Sequence, residues 1–153
     1  MKLGYYKDGF TPDSCVQNSG LIHLLAADVS IVKGQALHDD GNGYATNATT
    51  AFAATFLGIA AADVDNSGGD GLKVKVHPPI QDYRFWVKVE ADALVTQTAI
   101  GSTVDLEAND SVDISDVTVA SWGFKILAID VSTDAVAINT FGYVQGVFEK
   151  QPQ

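Results

Sequence analysis

Leu72-Lys73-Val74-Lys75-Val76-His77 alternates apolar and polar side chains without a break, and Pro78-Pro79 ends the run. Successive side chains of a strand point to opposite faces. Leu72, Val74 and Val76 therefore share one face, and Lys73, Lys75 and His77 the other. Proline cannot donate to a sheet ladder, so the pair at 78–79 acts as a stop. The alternation resumes over Tyr83-Arg84-Phe85-Trp86-Val87-Lys88-Val89-Glu90, with Tyr83, Phe85, Val87 and Val89 on one side. Trp86 falls among Arg84, Lys88 and Glu90, and a large aromatic on a charged face is the kind of residue that interfaces use.

The same period extends outward in both directions. Downstream, strands are expected at Thr103 to Glu107, Val112 to Ile114, Trp122 to Asp130, Ala135 to Asn139 and Tyr143 to Glu149, with Val131 to Asp134 as a hairpin connection. Gly146, inside the last of these, marks a bulge or a close backbone approach. Upstream, Gln35 to His38 and Tyr44 to Thr46 flank the turn cluster Asp39-Asp40-Gly41-Asn42-Gly43. Ala51 to Ala62 is Ala-rich enough for a helix on propensity alone. Thr49, Thr50, Thr55 and Gly58 weigh against that, so Phe56 to Ala62 reads as an apolar strand buried on both sides, with room for a helical turn around Thr49 to Ala54. Many short strands separated by turn signals predict an all-β protein, a compact antiparallel β-barrel or β-sandwich.

Residues 1–20 differ in kind. Tyr5, Tyr6 and Phe10 lie among glycines, a proline and charged residues, with no sustained period. A frayed terminus does not need three aromatics in six residues, because exposed rings are costly in water. The expected organisation is an extended N-terminal arm over residues 1–20 and a single domain over 21–153, with Tyr5, Tyr6, Phe10 and Trp86 as partner or subunit contacts.

The chain has 153 residues, 46% of them apolar, with 9 basic and 19 acidic side chains and a formal charge of −10. A domain of that length buries roughly 68–70% of its unfolded surface and needs no disulfide or metal to fold. No apolar run approaches the roughly 18–20 residues of a membrane-crossing helix, and no basic-then-apolar leader opens the sequence. The acidic balance opposes phosphate backbones and anionic membranes, so neither nucleic acid nor a membrane is expected as a partner. The charge is uneven: between Glu90 and Asp134, nine carboxylates face one cation, Lys125. That stretch is either a solubilising surface or a patch that meets a basic partner.

Chemistry-bearing motifs are sparse. Cys15 is the only cysteine, so no intrachain disulfide forms, and it lacks the flanking pattern of a nucleophile served by His23, His38 or His77. The three histidines are too scattered for a zinc spacing. Asp63, Asp65, Ser67 and Gly68 match the first half of a calcium loop, but its twelfth position is Val74 instead of a bidentate Glu. Asp63, Asp65, Ser67 and Asp70 are thus candidate cation ligands in what also reads as an ordinary turn. No catalytic residue, cofactor or metal is expected, and the chain reads as a non-enzyme.

Val32-Lys33-Gly34-Gln35-Ala36-Leu37, the turn Asp39 to Gly43, the Ala/Thr-rich passage Tyr44 to Thr55, Phe56-Leu57-Gly58-Ile59-Ala60, the Asp/Asn/Gly loop and the strand Leu72 to His77 together carry a resemblance. Over roughly Leu21 to Phe148 the chain resembles the small capsid-decoration (head-stabilising, or cement) proteins of tailed bacteriophages. The resemblance implies a compact β-domain, often trimeric, attached partly through an N-terminal arm. It would sit on the outside of an expanded head and clamp neighbouring major capsid subunits. It also implies synthesis in the host cytoplasm, a place on the virion exterior, and no catalytic residues. The alternative is a soluble β-sandwich that binds carbohydrate or a cell surface, with Trp86, Trp122, Tyr83 or Tyr143 as a stacking platform.

Overall fold

The computed structural model describes residues 9–12, 21–27, 29–47, 51–66, 72–80, 83–90, 95–119, 121–130 and 142–152. Among the described residues thirteen strands run in chain order: β1 (Thr11–Pro12), β2 (Ile22–Leu25), β3 (Ser30–Ile31), β4 (Ala36–Asp39), β5 (Ala45–Thr46), β6 (Phe56–Ala60), β7 (Val64–Asp65), β8 (Lys73–His77), β9 (Arg84–Lys88), β10 (Thr103–Ala108), β11 (Ser111–Asp113), β12 (Trp122–Asp130) and β13 (Tyr143–Lys150). Among the described residues there is no α-helix, only a 3₁₀ turn at Gln97–Ala99. The Ala-rich segment is a turn through Ala54-Thr55 followed by strand β6. The expected strand at Ala135 to Asn139 and the connection before it lie outside the described residues.

Six strands form one antiparallel sheet in the order β1-β9-β13-β12-β10-β11, five form a second in the order β2-β8-β6-β4-β5, and β3 and β7 make a two-stranded ribbon. The sheets pack as a sandwich, and none closes into a barrel. Of the two architectures open to the sequence, the sandwich is the one adopted. Single parallel bridges join Val89 to Val112 and Ala26 to Ala45.

Alternation along the strands supplies two apolar layers. Phe85, Val87, Val104, Leu106, Val112, Phe124, Ile126, Val144 and Phe148 of the large sheet meet Ala36, Phe56 and Ile59 of the five-stranded sheet. The opposite face of the five-stranded sheet, with Leu37, Ala60, Val74 and Val76, packs with Ile31 of the ribbon. Strand β6 therefore contributes to both layers, as its continuous apolar sequence implies. Phe148 is the hub of the main layer, with five other phenylalanine rings at centroid distances of 4.9–5.5 Å. The β12–β13 register slips between Ile126 and Ala128, opposite Gly146. A Cβ on Gly146 would collide with the Lys125 carbonyl, which explains the glycine inside that strand.

The N-terminal segment corrects the expectation of an arm spanning 1–20. Phe10 is not a partner contact of this fold: it is fully buried within the main core, in ring contact with Phe52, Phe85, Phe124 and Phe148. Thr11 and Pro12 pair with Trp86 and Phe85 as the edge of the large sheet. Gly9 makes the entry possible, with φ +94° and a Cβ position occupied by the Gly34 backbone, while the Phe10 N–H donates to the Gly34 carbonyl at 2.7 Å. Residues 9–12 thus belong to the sandwich. Tyr5 and Tyr6 lie outside the described residues.

Candidate interaction surface

The Lys73–Lys75–His77 face, uniform in sequence, is divided in the fold. His77 lies beneath the large sheet, 2% exposed, its ring edge-on to Phe85 at 5.8 Å. Lys73 and Lys75 are exposed, so the covering sheet ends between them and His77. The β2–β8 end of the five-stranded sheet therefore overhangs. Register places His23 opposite Lys75 and Leu25 opposite Lys73, and directly paired residues share a face. The overhang thus presents His23, Leu25, Lys73 and Lys75 together. Leu25 is 43% exposed, with Ile22 and Leu72 similarly exposed at the rim.

Strand β2 is an edge strand with an exposed, mostly apolar sequence, and among the described residues it pairs only with β8. Edge strands of this kind are templates for another chain. Among the described residues neither Lys73 nor Lys75 has a carboxylate within 4 Å, whereas Lys88 pairs with Glu90 at 2.8 Å and Lys125 with Glu149 at 3.4 Å. The sequence shows the two lysines as ordinary polar-face residues. A faint signal was available: two of nine cations fall within three residues of an acidic chain.

A second exposed feature lies on the large sheet. After β11, Asp113 accepts hydrogen bonds from the Ser115 N–H (2.8 Å) and hydroxyl (2.6 Å), and Asp116 accepts from the Thr118 N–H (2.9 Å). These bonds shape a turn that lifts Val117 into solvent at 60% exposure. Glu107 is exposed on neighbouring β10.

The aromatics separate. Trp86 is half-buried on the outer face of β9, across from Thr11 and Gln145, so the arm segment and β13 already flank it. Tyr143 is 3% exposed and Tyr83 packs against the core, which removes both from any open platform. Trp122 lines a cleft of about 390 Å³ with Pro79, Phe148, Glu149, Lys150, Gln151 and Pro152.

Three buried polar groups support this scaffold. Asp105 accepts the N–H groups of Phe52 (2.6 Å) and Leu106 (2.8 Å), and burial pushes its pKa up against those bonds. His38 Nε2 accepts the Ala53 N–H at 3.4 Å, so two side chains pin the turn that inserts Phe52. Burial lowers the His38 pKa to about 4, and burial together with the charge of Lys33 lowers that of His77. Among the described residues the Nδ1 atoms of both histidines have no hydrogen-bond partner.

Of the cation candidates, Asp63 accepts the Lys33 N–H at 2.7 Å and Asp65 sits in β7 opposite Ser30, while Ser67 and Asp70 lie outside the described residues. Among the described residues no three His, Cys, Asp or Glu side chains converge on a metal position. Cys15 is also outside them. No family model, curated protein or solved structure matches the chain.

Proposed function

We propose that this chain is a non-enzymatic structural virion protein. In this reading it is a decoration protein that binds the major capsid protein on the outside of a phage head, as a trimer, and stabilises the shell. The observation that carries the assembly role is the β2–β8 overhang, where exposed Leu25 shares a face with Lys73 and Lys75, which have no carboxylate within 4 Å among the described residues, while Ile22 and Leu72 are exposed on the other face. An apolar edge beside exposed cations, on a chain of charge −10, favours contact with another protein surface. The sequence resemblance over Leu21 to Phe148 supplies the phage head as the place where such a surface is used. Protein made in the host cytoplasm and held soluble by its charge would then meet the expanded shell.

The test is co-sedimentation with expanded heads assembled from a tailed-phage major capsid protein, together with light scattering. Saturable binding at a fixed ratio to capsid subunits, and a mass of three chains, are the expected results. Failure to bind any such shell rejects the reading.

One observation favours a second reading, a carbohydrate-binding module. The Trp122 cleft combines an aromatic face with Pro79, Pro152 and the polar groups of Glu149 and Gln151, a composition suited to sugar stacking and hydroxyl recognition. Tryptophan fluorescence during glycan titration, compared with Trp122→Ala, decides between the two.

A further inference from the structure

The geometry points to a head-to-tail contact between copies of this chain, in which the basic β2–β8 overhang of one copy receives the acidic Val117 turn of the next. The inference rests on the assembly reading only for the number of copies that close the ring.

The two surfaces complement one another in charge and in apolar content. The overhang offers Leu25 between His23, Lys73 and Lys75. The turn offers Val117, the most exposed large apolar side chain among the described residues, flanked by Asp113 and Asp116, and Glu107 is exposed on β10, whose Asp105 pairs with Asp113. Among the described residues, neither Lys73 nor Lys75 on one side, nor Glu107, Asp113 nor Asp116 on the other, is ion-paired within its own copy. Their charges are thus available to a neighbour at little cost in broken bonds. The surfaces lie on different sheets, the overhang on the five-stranded one and the turn on the large one. A contact between two different patches is heterologous, and heterologous contacts generate rings when the rotation closes. An acidic chain that repels itself on average needs such a local cationic acceptor to associate, and this chain carries one where the covering sheet stops.

The experiment compares four full-length chains by sedimentation equilibrium at tens of micromolar: the wild type; Lys73→Glu/Lys75→Glu; Glu107→Lys/Asp113→Asn/Asp116→Asn; and all five substitutions combined. Asparagine keeps the Oδ1 acceptors that hold the turn, and circular dichroism verifies each fold. Self-association of the wild type is expected to weaken about tenfold or more in each reversed chain, and to fall between about 0.05 and about 0.5 M salt. The combined chain, whose surfaces again carry opposite charges, is expected to recover most of the association. A monomeric wild type at low salt, a Lys73→Glu/Lys75→Glu chain that associates like the wild type, or a combined chain that does not recover each overturns the contact. Co-sedimentation of the same panel with capsids is read separately. Shell binding by a monomeric wild type overturns the contact and leaves the decoration role standing, while charge-swapped association without shell binding does the reverse.

Discussion

Replacing Phe10 by alanine tests whether the N-terminal segment is part of the fold. The ring is fully buried, with centroids 5.5 Å from both Phe124 and Phe148 and 6.2 Å from Phe52. Truncating a buried Phe typically costs about 3–5 kcal/mol through lost transfer free energy and the cavity left behind. The segment is also held by the Phe10 N–H bond to Gly34 and by the two-residue pairing of β1 with β9. Ordering the backbone of residues 9–12 opposes folding by about 1–2 kcal/mol per residue, so without the ring the segment is expected to detach. The total stability of a domain is about 5–15 kcal/mol, so the loss is a large fraction of it. At about 2–4 °C per kcal/mol for a chain this long, Tm should drop by roughly 6–20 °C. Urea unfolding followed by fluorescence, with the slope compared between variants, gives the free energy directly. Phe10→Leu, which keeps an apolar side chain, should lose distinctly less. A Phe10→Ala chain within about 1 kcal/mol of the wild type would refute the reasoning and return Phe10 to the role of an exposed arm contact.

Asp105→Ala should destabilise by about 1–3 kcal/mol, because the buried Phe52 N–H loses its acceptor, whereas Asp105→Asn keeps an acceptor without the buried charge and should match or exceed the wild type in urea melts at neutral pH. Stability should fall as pH drops below about 6.5: His38 and His77 have lowered folded pKa values, so the unfolded chain binds more protons there, and the loss from His38 continues down to about pH 4. Asp105, whose folded pKa is raised, acts in the opposite direction, its contribution being greatest below its unfolded value and lost as pH rises through the folded one. Urea melts across this range for wild type and His38→Gln should show a shallower slope in the variant; an unchanged slope excludes His38 as the cause. Gly9→Ala should lower Tm by several degrees, since a Cβ there meets the Gly34 backbone at φ +94°, and thermal melting beside the exposed, unobstructed Gly41→Ala shows whether the collision adds to the strain of positive φ.

Local alternation determined the fold class by itself. Phe85 and Val87 along β9, and Val89 just past its end, are buried because strand geometry alone sends every second side chain to one face, and β12 spans the Trp122–Asp130 run that its sequence outlines. Sandwich over barrel was not legible, since it depends on whether sheet edges meet, a property of curvature summed over distant strands. The same limit applied to the surfaces that carry the proposed function. Lys73, Lys75 and His77 are equivalent in the pattern, and only the extent of the opposing sheet buries the histidine against Phe85 while leaving the lysines in solvent. Phe10, which has no periodic neighbours, acquires its place from rings 42 to 138 positions away in sequence, at Phe52, Phe85, Phe124 and Phe148. Side-chain direction is a local property of the backbone and is written in the sequence, whereas burial depends on what lies opposite, and that is supplied by long-range packing.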